Sequence, residues 1–144
     1  MKNRKRVVEE LISILGMIIV LTVAYQTGNW LHKARLEASG SLGASDFAVY
    51  ALALSWTRLL VAGLLLLLTW FVLFRQLPGL LTALVYTVVG LVVLFSIAIT
   101  FLTPYSLPWD VGRTGFISPF IDTGAAIAVI GIGALGKIVW QRWR

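Results

Sequence analysis

The chain has 144 residues, of which 59% are hydrophobic and 12% charged, about half the charge fraction of a soluble domain. Its mean hydropathy is +0.91, and no soluble core buries so many large apolar side chains in so short a chain. The lack of cysteine removes disulfides, cysteine-held iron–sulfur clusters and thiolate catalysis, and the single histidine, His32, removes a haem held between two histidines of this chain.

The net charge is +6, but the basic residues sit at the ends of apolar runs. Nucleic-acid binding needs a basic face with stacking or base-reading groups, and none is present. The charge reads as membrane topology and as contact with anionic lipid.

The chain begins with a basic stretch, residues 2–6, followed by Glu9, Glu10 and an apolar run from Leu11 to Tyr25. A signal peptide fits poorly, because acidic residues precede the apolar run and Thr22-Val23-Ala24 is a weak cleavage site. The run reads as a first transmembrane helix, about residues 8–31, with Trp30 anchoring its far border. Lys5 with Glu9 and Arg6 with Glu10 stand at i,i+4, in the weaker base-before-acid order.

Residues 32–46 form the first outer connection, with a turn-rich stretch after Ala38 and Ser45 or Asp46 as N-cap of the next helix. The second span covers about residues 47–74. From Leu59 to Phe74 it holds twelve Leu, Val or Phe residues, worth roughly 4–7 kcal/mol of insertion against about 2.5–3.5 for Arg58. Insertion wins with the arginine included.

Residues 75–79 form a turn too short for anything but an antiparallel hairpin. The third span covers about residues 80–102. A second outer connection, residues 103–117, carries Pro104 and Pro108 and the interfacial residues Tyr105 and Trp109. The fourth span, about residues 118–140, begins with Pro119 in its first turn, where a missing N–H is tolerated.

The fold expected is an all-α membrane protein: one transmembrane domain of four helices in an antiparallel up-down bundle. Lys2, Arg4, Lys5, Arg6, Arg75, Lys137, Arg142 and Arg144 fall on one side, and Lys33, Arg35 and Arg113 on the other. The positive-inside rule then places both termini in the cytoplasm, in the cell membrane.

Four features are candidates for function. Gln26, Arg58 and Asp122, with Thr100 nearby, lie about 5–6 Å below the outer surface on minimal spans. Such a layer suits an anionic or quinone-like headgroup; the plainer alternatives are an Arg58 that snorkels outward, an Arg58–Asp122 pair, direct or through one polar neighbour, that fixes helix packing, and an Asp122 that serves the first turn of its own helix. Gly124, Ala128 and Gly131 form a small-residue face on the fourth helix, suited to close approach by a helix of this chain or of another subunit. His32 beside Trp30 is a weak cofactor-ligand candidate, more simply read as a border residue. The basic N-terminus is the lipid-contacting candidate.

No phosphate loop, hydrolytic triad or metal cluster stands in the sequence, and no carboxylate lies deep in a span. The expectation is a non-catalytic integral membrane subunit with no cofactor or metal. It would pack among lipids and other integral subunits, as a hetero-oligomer more than a homo-oligomer, without nucleic acid. The alternative is a small oligomeric transporter or channel built on the Arg58–Asp122 layer.

Overall fold

The computed structural model describes residues 2–40, 44–75, 79–96 and 119–143. The secondary structure there is all helical: α1 (Lys2–Gly40), α2 (Ala44–Thr69), α3 (Leu80–Leu94) and α4 (Pro119–Arg142). α2 continues as a π-helical turn, Trp70–Arg75. Helix is the outcome lipid imposes on segments of this composition, because each backbone N–H must find its acceptor inside the segment.

Among the described residues three helical segments are long and apolar enough to cross a membrane: Arg4–Leu31, Ala48–Phe74 and Phe120–Arg142. α3 is apolar but has 15 residues, about 22 Å of rise against the ~30 Å of a bilayer core. Residues 97–102 of the expected third span lie outside the described residues, as does the connection 103–117.

α1 is longer than the membrane requires. Its 39 residues rise about 58 Å. The extensions at both ends are polar. At the start, Arg6 and Glu10 pair at 3.4 Å across one turn. Beyond Leu31 the helix takes up residues 32–40, a stretch of mostly good helix formers, before α2 begins at Ala44.

Among the described residues the interior has two clusters. Met17, Val20, Leu68, Val72, Ala83, Tyr86, Ile127, Ile130 and Ala134 form the larger one, drawn from all four helices. Ala24, Val61, Val93 and Phe120 form the smaller. Beside it, Tyr25 meets Phe120 edge to face, with ring centroids 5.6 Å apart.

The most extensive helix contact is that of α3 with α4, and glycine sets its closeness. A Cβ on Gly90 would stand 2.7 Å from the Ala128 Cα, and one on Gly131 would stand 2.9 Å from the Thr87 Cα. One on Gly124 would stand 2.7 Å from the Val93 Cβ. Backbones approach at these points because no side chain intervenes, the usual way for helices to gain contact where lipid removes the hydrophobic drive.

Candidate functional site

Hydroxyls in the spans are mostly satisfied within their own helix. Thr22 donates to the Ile18 carbonyl at 2.8 Å, Thr69 to Leu65 at 2.7 Å and Thr87 to Ala83 at 2.8 Å. Two departures from this pattern, at Tyr86 and Thr82, lie toward the α2–α3 turn. We call this the turn end of the molecule, and the region around Phe120 the far end.

At the turn end, α1 and α3 share a buried polar contact. The Tyr86 hydroxyl donates to the Ser13 carbonyl at 2.7 Å and lies 3.0 Å from the Ser13 hydroxyl. Both side chains are buried. One turn before Tyr86 on α3, Thr82 is 1% exposed and its hydroxyl has no partner. Such an orphan costs about 1–3 kcal/mol.

Two charged side chains meet helix ends at the same place. Gly79 precedes α3, offers no side-chain cap, and is followed by a first turn without an acidic residue. The Glu10 carboxylate of α1 fills the space over it: a Cβ on Gly79 would stand 2.9 Å from Glu10 Oε2. A carboxylate there complements the positive end of the α3 dipole. On the other arm of the turn, the half-buried Lys137 of α4 donates from Nζ to the Leu73 carbonyl in the π-helical turn. That is the negative end of α2, where a cation is favoured. α1 and α4 thus supply charges of opposite sign to the two helix ends flanking the turn.

The polar layer expected from the sequence is arranged differently. Gln26, Arg58 and Asp122 are all exposed. Gln26 is two residues, about 200°, from both buried Ala24 and buried Gly28, so it points away from the core. Asp122 stands in the same relation to buried Phe120 and Gly124. Arg58 and Asp122 form no direct ion pair; among the described residues the ion pair between side chains is Arg6–Glu10. Thr100 lies outside the described residues, and so does the side chain of His32, whose backbone belongs to α1.

Gly124, Ala128 and Gly131 are buried, and the helix that lies on them is α3 of this chain, at Val93, Gly90 and Thr87. Sequence reasoning missed Gly90 on the facing side. Its signal is a lone glycine inside the valine-rich run of residues 88–93, a position that helix propensity alone disfavours. It also missed Ser13 and Tyr86, each a polar group inside an apolar run, and read Glu10 only as a partner of Arg6 and Lys137 only as a border charge.

Among the described residues, apolar grooves lie between helices. One of about 480 Å³ is lined by Leu21, Thr22, Tyr25, Val88, Val92 and Phe120, among others. Another, about 320 Å³, lies between α1 and α2 around Gly16, Leu64 and Phe71. Their walls suit acyl chains or apolar side chains and carry no ionisable carboxylate or amine. Among the described residues no three His, Cys, Asp or Glu side chains gather to hold a metal ion.

Comparison of the chain with protein-family models, with curated proteins and with solved structures finds no match.

Proposed function

We propose that this chain is a small, non-catalytic integral membrane subunit that packs within a larger membrane protein complex and stabilises it. The observation that carries the reading is the outward direction of Arg58 and Asp122. Both lie within candidate spanning segments, both are exposed, and a charge in a membrane-spanning helix is costly unless something receives it. Charges that line a transport path inside one chain face its interior. These face whatever surrounds the chain.

Large apolar side chains cover the rest of the outside, among them Leu15, Ile19, Leu66, Leu67, Val129 and Trp140. They suit lipid tails and neighbouring transmembrane helices. The proposed topology is an antiparallel up-down bundle of four spans with both termini cytoplasmic, in the cell membrane. Two observations support it. Close approaches of α3 and α4 run in opposite order, Thr87 with Gly131, Gly90 with Ala128 and Val93 with Gly124. The eight-to-three division of basic residues between the two sides favours cytoplasmic termini.

The test is gentle detergent extraction from the native membrane, followed by native mass measurement. Unrelated subunits at a fixed ratio to this chain are the expected result. Recovery of the chain with lipid alone would remove the reading. A pure homo-oligomer would favour the second reading, a small transporter or channel, in which association of copies encloses Arg58 and Asp122 between them.

A further inference from the structure

Arg58 and Asp122 stand exposed on two helices in contact, α2 and α4. On α2, Arg58, Ala62, Thr69 and Leu73 follow one another at spacings of four, seven and four residues, and on α4, Asp122, Val129, Gly133 and Gly136 at seven, four and three. Each set is a single stripe of its helix. The stripes are neighbours. A Cβ on Gly133 would stand 3.8 Å from Leu73 Cδ1, and Lys137 reaches the Leu73 carbonyl. Toward the far end the two helices keep contact through Val61 and Phe120, the latter about 200° round α4 from Asp122. The α2–α4 face therefore carries a cation on one helix and an anion on the next, in the same half of the molecule. Neither is paired with the other, and both are exposed.

We propose that this face binds a second copy of the chain, with Arg58 of each copy paired to Asp122 of the other. Charge complementarity identifies the occupant, because this chain already carries both halves of the pair. The symmetry follows from the adjacency of the stripes. A two-fold axis parallel to α2 and α4 lays α2 of each copy on α4 of its partner, so one operation forms both pairs, as a self-complementary contact requires. Ala62, Gly133 and Gly136 leave room for backbones to approach. Gly136 has nothing within 4 Å of its Cβ position in its own chain, so a neighbouring helix has access to it. The proposal rests on the subunit reading for the direction of the two charges, and adds that the assembly holds this chain in pairs.

Trans-complementation in the native membrane tests it. Full-length chains with two different tags carry Arg58→Asp or Asp122→Arg, expressed singly and together. Each single variant is expected to lose capture of its own differently tagged copies, because it sets like charges opposite one another. Co-expression of the two variants is expected to restore capture to the unsubstituted level. Three results would overturn the proposal: singles that still self-associate, a mixture that does not, or restoration only when both substitutions share one chain.

Should the charge reversals prevent folding, a second experiment keeps the charges. The chain has no cysteine, so copies carrying Leu66→Cys are mixed with copies carrying Val129→Cys and treated with a short bis-maleimide. A mixed cross-linked dimer is expected; cross-links to lipid or to unrelated protein only would overturn the pairing. The two readings fail separately. A single copy beside unrelated subunits removes the dimer and leaves the subunit, whereas paired copies with no unrelated subunit do the reverse.

Discussion

Lys137 and Asp122 belong to one helix, and their surroundings treat them in opposite ways. Lys137, at the turn end, finds the Leu73 carbonyl of the π-helical turn and is half-buried. Asp122, at the far end, lies two residues from each of two buried neighbours and is exposed. The same contrast holds on the facing elements: Glu10 rests over Gly79 at the α3 N-terminus, and Arg58 is exposed with no ion pair to Asp122. Both acids stand at a helix N-terminus, Asp122 in the first turn of its own helix and Glu10 at that of another. Two helix termini at the turn end present free backbone dipoles, and side chains of α1 and α4 answer them. The charged side chains Glu10 and Lys137 find helix ends within the chain, while Arg58 and Asp122 are exposed and do not pair with each other.

The contrast breaks most easily at the glycines of α4. Gly131→Leu drives a side chain into the α3 backbone at Thr87. It is expected to cost about 3 kcal/mol or more, and more than Leu135→Ala, in reversible unfolding of the purified chain. Gly136→Leu, on the outward stripe, is expected to change that unfolding by no more than about 0.5 kcal/mol while reducing recovery of the assembly. Equal effects of the two in the isolated chain would erase the distinction between inner and outer faces.

Smaller effects sharpen the turn end. Lys137→Met leaves the Leu73 carbonyl without its cation and is expected to cost about 1–2 kcal/mol, read by the same unfolding measurement. Tyr86→Phe removes the buried contact with Ser13, for a loss of roughly 0.6 kcal/mol and no more than about 1.7, the average and the upper end for interhelical hydrogen bonds in membranes. Arg58→Gln, made in the isolated chain, is expected to fall within about 0.5 kcal/mol of the parent. A loss as large as that of Lys137→Met would mean that Arg58 serves the fold of its own chain.

The helices were legible in the sequence because their cause is local. Long apolar runs bounded by charge, proline or glycine leave the backbone no other means of satisfying itself in lipid. The small residues Gly124, Ala128 and Gly131 were legible as a packing face, since their spacing puts them on one side of a helix. What they pack on was not legible, because Gly90 and Thr87 are set opposite them by the register of two helices, which sequence spacing does not contain. The direction of Arg58 and Asp122 was hidden for a related reason. Depth follows from counting residues, and that places the two charges in one layer. Rotation about each helix axis follows from which stripe the other helices bury, and that turns Asp122 outward. The roles of Glu10 and Lys137 depend on helix ends contributed by other segments, so no window around either residue carries them.

On the proposed reading, the far-end charges face a neighbour outside the chain. A photo-activated cross-linking residue placed at position 58, with a control at the buried position Ala83, tests it directly in native membranes. The expected result is cross-linking from position 58 to a second polypeptide, seen as a shift to higher mass, with Ala83 giving cross-links within the chain alone. Cross-links from position 58 confined to its own α4 would contradict the claim and restore an Arg58 site inside the single chain.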